Sequence, residues 1–275
     1  MELAKLNLQA GEKAMSLATF VNAASYLKKG ISLLYEDHWE KYYDLSLKLY
    51  SLYAEAEYCN GRFHDISQVA AGVFKHAKIY QDKLRAYAIL IKALGAQYKL
   101  QNAMNMGFEV LSQLGVRQQS SLPDTSIVLR DIIKLKLSLQ ELTGAELLNY
   151  KEMKDNNMIA AMSFLQLLLI YSLFAMPEYF LTITFQMLHL TLSYGICEES
   201  CCCLSSLSAV ICRMKDYDAS ERIGQLAILL LDKFQYRKYI SFVHCCVFGV
   251  IRGWTRHIKM SIEPLLSAHQ IGMQT

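Results

Sequence analysis

The stretch Phe63-His-Asp-Ile-Ser-Gln-Val-Ala-Ala-Gly-Val73 carries the pattern that decides the predicted fold. A bulky residue, Phe63, is followed by apolar or small residues three, seven and ten positions later, at Ile66, Ala70 and Val73. These offsets lie along one face of a helix. The same pattern begins at four other bulky residues, which are Phe20, Leu100, Phe180 and Tyr217.

The distances between these copies indicate a repeat. The starts at residues 20, 63, 100, 180 and 217 are separated by 43, 37, 80 and 37 residues, and a copy expected near residue 140 is weak. A period near 40 is typical of helical-hairpin repeats. Two copies follow a turn signal, at Asn60-Gly61 and at Lys215-Asp216. Ordinary amphipathic helices give the same offsets, and this alternative stays open.

Composition favours an all-α chain and argues against nucleic acid as a partner. The chain has 275 residues, of which 53% are hydrophobic and 19% charged, and it contains only three prolines. Few helix breakers and no strand–turn–strand pattern favour helices throughout. The formal net charge of +3 gives no concentrated basic face of the kind that nucleic acid requires.

We therefore predict one continuous helical-repeat domain over residues 1–275, built from about six or seven helical hairpins and forming a segment of a longer protein. A loop is expected at residues 118–125, with Asp124, Thr125 or Ser126 as the next N-cap. Residues 145–156 are expected to connect two parts of the array. Helices are predicted within 1–35 (with a break near Gly11), 40–59, 63–77, 82–99, 100–114, 127–142, 199–213, 217–234, 237–256 and 262–275.

Two uncharged runs raise a membrane alternative. Met158–Met176 and Tyr179–Cys197 contain no charged residue and are separated by Pro177-Glu178. Each approaches the length that spans a bilayer, so a membrane hairpin at residues 158–197 is one interpretation. Polar residues such as Gln166 interrupt the apolar faces, and buried central helices of an array have the same composition. We prefer the buried helices and expect a cytoplasmic protein.

The eight cysteines raise a metal or redox alternative. Cys197 and Cys201–Cys203 are close in sequence, and a thiolate metal site needs two such pairs that converge on one ion. Three adjacent cysteines on a helix point in different directions, however, and buried free cysteine commonly serves as a small apolar residue. The histidines show no ligand spacing, and we expect His189 to be a buried core residue. The acidic pair Glu198-Glu199 is expected at a helix cap or on a solvated face.

Several segments together resemble one family. Ala4-Lys-Leu-Asn-Leu-Gln-Ala-Gly11, Ala54-Glu-Ala-Glu-Tyr-Cys-Asn-Gly-Arg-Phe63 and Tyr217–Phe234 resemble the tetratricopeptide-like helical segment of large multidomain signalling kinases. In that family the segment lies between an AAA-type ATPase module and a sensor or output domain. The chain departs from the family at Cys201–Cys203, where aromatic and small apolar residues are usual.

The resemblance implies a right-handed α-α superhelix that connects domains and binds protein without catalysing a reaction. The sequence contains no Gly-rich phosphate loop of either common type, and no H-R-D or D-F-G motif. We accordingly predict a scaffold with no catalytic residue, no metal and no cofactor. Its partners are expected to be proteins or the neighbouring domains of the same polypeptide.

Overall fold

The computed structural model describes residues 1–116, 125–140, 142–235 and 237–273. The all-α prediction is confirmed, because the described residues form helices and no strand, with one isolated bridge between Glu152 and Ile196. The predicted loop at 118–125 lies, apart from residue 125, outside the described residues.

The chain forms two compact units, residues 1–110 and 111–275, and the division falls within helix α7. The single domain over 1–275 stays a prediction. The first unit contains α1 (Glu2–Ser16), α2 (Phe20–Ser32), α3 (His38–Lys41), α4 (Tyr43–Cys59), α5 (Phe63–His76), α6 (Gln81–Ala96) and the start of α7 (Leu100–Gln113).

The second unit consists of longer apolar helices and several short ones. It contains α8 (Thr125–Gln140), α9 (Gly144–Leu148), α10 (Asn156–Ala175), α11 (Pro177–Tyr194), α12 (Ser200–Arg213), α13 (Tyr217–Phe234) and α14 (Arg237–His244), then a π-helical segment (Cys245–Ile251), α15 (Arg252–Thr255) and α16 (Lys259–Gly272). The helix predicted at 237–256 is therefore three consecutive pieces. Its central π-helical piece widens the turn in a way that sequence periodicity does not reveal.

In the first unit each helix packs mainly on its neighbours in the chain. Helix α1 contacts α2, α2 contacts α4, α4 contacts α5, and α5 contacts α6. Helix α4 also contacts both α1 and α6. This nearest-neighbour pattern is what a stack of helical hairpins produces.

A common turn precedes four of the five copies of the pattern. Ala18, Gly61, Tyr98 and Lys215 all have a left-handed backbone, with φ between 53° and 72°. The N–H of the next residue donates to the carbonyl five residues earlier, at 3.0 Å (Thr19 to Ala14), 2.9 Å (Arg62 to Glu57), 2.9 Å (Lys99 to Leu94) and 3.3 Å (Asp216 to Ile211). This geometry is the Schellman motif, which ends a helix and reverses the chain.

Each of these turns leads directly into a helix that carries the pattern. Phe20, Phe63, Leu100 and Tyr217 are the first residues of α2, α5, α7 and α13. In all five copies the residues at offsets 3, 7 and 10 are buried, and the bulky residue at offset 0 is half-buried. Amphipathic periodicity alone would not place four copies at the same position after the same turn, so the shared turn favours a repeat.

The remaining copies differ for local reasons. Phe180 is the fourth residue of α11, because this helix begins three residues earlier, at Pro177. A proline at the first helical position, and not a left-handed residue, precedes this copy of the pattern. The next helix after residue 140 among the described residues is the five-residue α9, and its N-cap Thr143 accepts from the N–H of Glu146 in a capping box. This explains the weak copy expected near residue 140.

The break predicted near Gly11 is wrong. Gly11 is buried within α1, and the break lies at residues 17–19. A Cβ at Gly11 would lie 2.6 Å from Cδ2 of Leu27, which is the offset-7 residue of the first copy. The glycine therefore allows α1 and α2 to approach closely and does not end a helix.

Aromatic side chains fill the middle of the first unit. Trp39 is buried, stacks on His76 with ring centroids 5.0 Å apart, and also contacts Tyr43 and Tyr50. Trp39 lies on the short helix α3, not on the long helix predicted from residue 40. Burial and the nearby His76 lower the pKa of His38, whose ring also lies beside Trp39.

The left-handed turns give a stability prediction. Tyr98 is 89% exposed and holds a left-handed backbone that costs a residue with a Cβ about 1–2 kcal/mol. We expect Tyr98→Gly to raise the free energy of unfolding by about 1 kcal/mol, because glycine adopts this conformation without strain. The measurement is urea denaturation followed by circular dichroism.

The matched control is Ala96→Gly, at the last residue of the preceding helix α6. This change should lower the free energy of unfolding by roughly 0.5–1 kcal/mol, since glycine disfavours a helical backbone. Destabilisation by both substitutions would contradict the left-handed turn at Tyr98.

Candidate functional site

A cavity of about 360 Å³ in the second unit is lined by several charged side chains, one of which is buried. It lies where α10, the segment before α10, the segment before α12 and the α13–α14 region meet. Its lining contains both polar and apolar residues, which are Glu152, Ser163, Cys197, Glu198, Glu199 and Lys238, and Met153, Ile159, Ile196 and Phe234.

A crossing of two backbone segments fixes one wall of this cavity. Ile196 donates its N–H to the carbonyl of Lys151 at 2.8 Å, and Met153 donates to the carbonyl of Ile196 at 2.9 Å. Gly195, which ends α11, has φ 118° and lies so close to this crossing that a Cβ would be 2.6 Å from the Lys151 carbonyl oxygen. Only glycine satisfies both conditions, so we assign Gly195 the role of holding the crossing.

Glu199 is the central residue of the site. Its side chain is buried, with 3% of its surface exposed, although it stands at the N-terminal end of α12. Its Oε1 accepts from the hydroxyl of Ser163 at 2.5 Å and from that of Tyr239 at 2.8 Å. The sequence correctly placed Glu199 at a helix cap position, but the expected solvated face is wrong and the side chain caps no backbone N–H.

A hydrogen-bond chain connects this carboxylate to the surface. The Lys238 ammonium donates to the Tyr239 hydroxyl at 2.9 Å, and that hydroxyl in turn donates to Glu199. Burial and the charge of Glu199 raise the pKa of Tyr239, which keeps the phenol protonated as a donor. Tyr239 and Ser163 were not predicted as site residues, because their partner lies 36 or more positions away in the sequence.

The cysteine cluster lies beside this site but is buried. Cys197 and Cys201–Cys203 are all buried and free. Burial raises the pKa of Cys197 to about 12 and also raises the pKa values of Cys202 and Cys203. Thiols in this state are poor nucleophiles and poor metal ligands, since both reactions use the thiolate. The part of the chain that the structure describes brings no three His, Cys, Asp or Glu side chains together for a metal ion.

The long apolar helix α10 is partly buried in the second unit and packs mainly on α11. Among the described residues α10 alone is long and apolar enough to span a membrane, with a mean hydropathy of 2.0, and half of that stretch is buried within the fold. The proposed second arm, α11, does not meet the same criterion. His189 on α11 is exposed, so its expected place in the core is wrong.

An apolar stripe lies exposed along α16. It consists of Ile262, Leu266 and Met273, which are 52%, 60% and 77% exposed. The opposite face of α16 is packed: Ser261 and Ala268 are buried, and the Ser241 hydroxyl donates to the Ala268 carbonyl at 2.8 Å. These three residues are four and seven positions apart, which places them on one face of α16. Another helix or an apolar surface could pack against this exposed face.

The role of Tyr239 can be tested by removing one oxygen. Tyr239→Phe leaves the ring in place but deprives the buried Glu199 carboxylate of one of its two hydroxyl donors. We expect the free energy of unfolding to fall by about 1–3 kcal/mol. Tyr194→Phe, at an exposed tyrosine of α11, is the control and should change it by less than about 0.5 kcal/mol. Equal changes in the free energy of unfolding for the two substitutions would show that the hydrogen bond from Tyr239 to Glu199 contributes nothing to stability.

Thiol labelling distinguishes buried cysteines from reactive ones. With a disulfide reagent near neutral pH, we expect Cys59 and Cys245, the two exposed thiols, to react first. Cys197, Cys201–Cys203 and Cys212 should react only when the chain unfolds, because all five side chains are buried.

The control is the double variant Cys59→Ser and Cys245→Ser. This variant should lose the rapid phase of labelling. The remaining six of the eight thiols in the chain should still be labelled after denaturation. A rapid phase that persists in the double variant would revive the cysteine-dependent alternative.

Comparison with protein families, with curated proteins and with solved structures gives no match. The resemblance to the helical segment of signalling kinases thus depends on the sequence segments quoted for it.

Proposed function

We propose that the chain is a non-catalytic helical-repeat scaffold that binds protein partners. The observation that carries this proposal is the apolar stripe of Ile262, Leu266 and Met273 on α16. An amphipathic helix of a partner would pack its own apolar face along this stripe, in the same way that helices of the array pack on their neighbours.

The repeated turn supports the scaffold. Four hairpins share the left-handed residue and the hydrogen bond that follows it, and the pattern residues after the turn are buried. The pattern is therefore a packing seam, and binding is left to other faces of the helices. A tetratricopeptide-like, right-handed superhelix is the finer form of this proposal, and it agrees with the hairpin order of the first unit.

Two observations favour a scaffold over the alternatives. The raised pKa values and burial of Cys197, Cys202 and Cys203 disfavour a redox or metal function. The partial burial of α10 within the second unit disfavours a membrane hairpin at 158–197. The place of the chain in a multidomain signalling kinase or ATPase, and its cytoplasmic location, are proposals that rest on the family resemblance alone.

The stripe is tested with two neighbouring substitutions on α16. Leu266→Glu places a charge in the stripe, whereas Ser267→Glu places the same charge at an exposed polar position beside it. We expect the proteins that co-purify with the wild-type chain to remain with Ser267→Glu and to decrease at least about tenfold with Leu266→Glu, since a buried unpaired charge costs more than 1.4 kcal/mol.

Quantitative mass spectrometry of the captured proteins gives the readout. Thermal unfolding of both variants shows whether the fold is intact, because both positions are exposed and neither change should alter the core. Capture of the same proteins at the same level by both variants would refute the stripe as the binding surface.

A further inference from the structure

The end of α15 and the start of α16 expose three large apolar side chains. Trp254, Ile258 and Met260 have 71%, 67% and 57% of their surface exposed. They fall within seven residues of the chain, so their Cα atoms lie within about 20 Å of one another. Several large apolar side chains exposed in one short segment mark a surface that contacts a protein or a membrane.

Basic side chains lie between these apolar ones. Arg256 and Lys259 stand on either side of Ile258 in the sequence, and both are exposed. The stretch from residue 233 to residue 262 contains six Lys or Arg residues and no Asp or Glu. The exposed segment therefore attracts a negatively charged surface.

Glu221 on α13 neutralises only part of this positive charge. Its Oε1 lies 3.4 Å from Nε of Arg252 and 3.8 Å from Nε of Arg256. The Arg256 side chain nevertheless keeps 56% of its surface exposed, whereas that of Glu221 keeps 15%. Two arginines share this one carboxylate and Lys259 follows them in the chain, so positive charge remains at the surface.

The exposed tryptophan is already positioned by contacts with α13. The Trp254 ring stacks on the Tyr217 ring, with centroids 6.2 Å apart and planes 12° from parallel. The hydroxyl of the neighbouring Thr255 donates to Glu221 at 2.9 Å. A side chain that is ordered before binding loses less entropy when it makes a contact. Tryptophan is also enriched at the boundary between a bilayer and water.

The mixture of basic and apolar side chains favours a bilayer over other partners. The core of a protein interface is depleted of charged residues. Here each of the three exposed apolar residues has a basic residue within two positions. This combination fits an anionic bilayer, where apolar groups enter the acyl boundary and cations stay beside the lipid phosphates. Nucleic acid would attract the basic residues but leave the apolar ones in water.

We propose that residues 254–260 bind the surface of a membrane that contains anionic lipids. Trp254, Ile258 and Met260 enter the headgroup region, and Arg256 and Lys259 lie against the lipid phosphates. The contact is peripheral and needs no helix that spans the bilayer. It goes beyond the proposed scaffold function, because it involves neither a protein partner nor the α16 stripe.

Lipid vesicles test this contact on the full chain, with Trp254 as the reporter. The chain has two tryptophans, and Trp39 is buried in the first unit, so lipids can reach Trp254 alone. We expect vesicles with equal parts of phosphatidylcholine and phosphatidylserine to shift the Trp254 emission to shorter wavelength. Brominated lipids in these vesicles should quench the emission, because the indole enters the bilayer.

The lipid composition separates the two parts of the contact. Vesicles of phosphatidylcholine alone should bind at least about tenfold more weakly, since each basic residue adds about fivefold to the affinity for an anionic surface. Binding to the anionic vesicles should also fall as the salt concentration rises. Equal binding to both compositions, or no quenching by either, would overturn the proposal.

Two pairs of substitutions locate the contact. Ile258→Ala should weaken vesicle binding about tenfold, whereas Ile79→Ala, at an exposed isoleucine of the first unit, should leave it unchanged. Lys259→Gln should weaken binding about fivefold, and Lys28→Gln, at an exposed lysine of α2, is its control. All four positions are exposed, so thermal unfolding should match that of the wild-type chain. Equal effects within either pair would contradict binding by this segment.

Other occupants of the segment give different results. Binding of a short single-stranded RNA without any quenching of Trp254 by vesicles would assign the segment to nucleic acid and overturn the lipid proposal. A dimer that is lost in Ile258→Ala, again without quenching by vesicles, would assign it to a second copy of the chain. Because the vesicles contain no protein, their result is independent of the experiment on the α16 stripe.

Discussion

One backbone hydrogen bond determines how the helices of this protein are arranged. After α1, α4, α6 and α12, the N–H of the residue that follows a left-handed residue donates to a carbonyl five positions earlier. That bond ends one helix and fixes the direction of the next within two residues. Because the same turn is used four times, each return helix begins with its bulky residue at the same point and directs offsets 3, 7 and 10 into the core.

The same regularity explains where function can be located. Pattern residues are used in packing, so binding chemistry has to lie on other faces or at places where the regularity ends. The cavity around Glu199 is such a place: Gly195 and the crossing at Lys151 interrupt the succession of hairpins and bring Ser163, Glu199 and Tyr239 together. The exposed stripe on α16 is another, since it lies on a helix face that no described helix covers.

Sequence periodicity predicts the helices well and the site poorly, for physical reasons. Helices α5, α12 and α13 follow the predicted bounds within one residue, since their apolar faces and turn signals are local. Ala18 and Tyr98 were not predicted as turn residues because alanine and tyrosine rarely adopt a left-handed backbone, and the backbone hydrogen bond that follows each of them leaves no mark on the sequence. The burial of Glu199 was missed because its partners come from two other helices, and no local pattern records such a contact.

Amide hydrogen exchange at the four turns tests the central claim most directly. The N–H groups of Thr19, Arg62, Lys99 and Asp216 are the donors of the repeated bond, although each belongs to a residue just before a helix, where backbone N–H groups usually exchange freely. The account predicts that all four are protected to a similar degree as the helix interiors beside them. Exchange at the rate of an unstructured peptide at these four positions would show that the turns, and the repeat built on them, do not form.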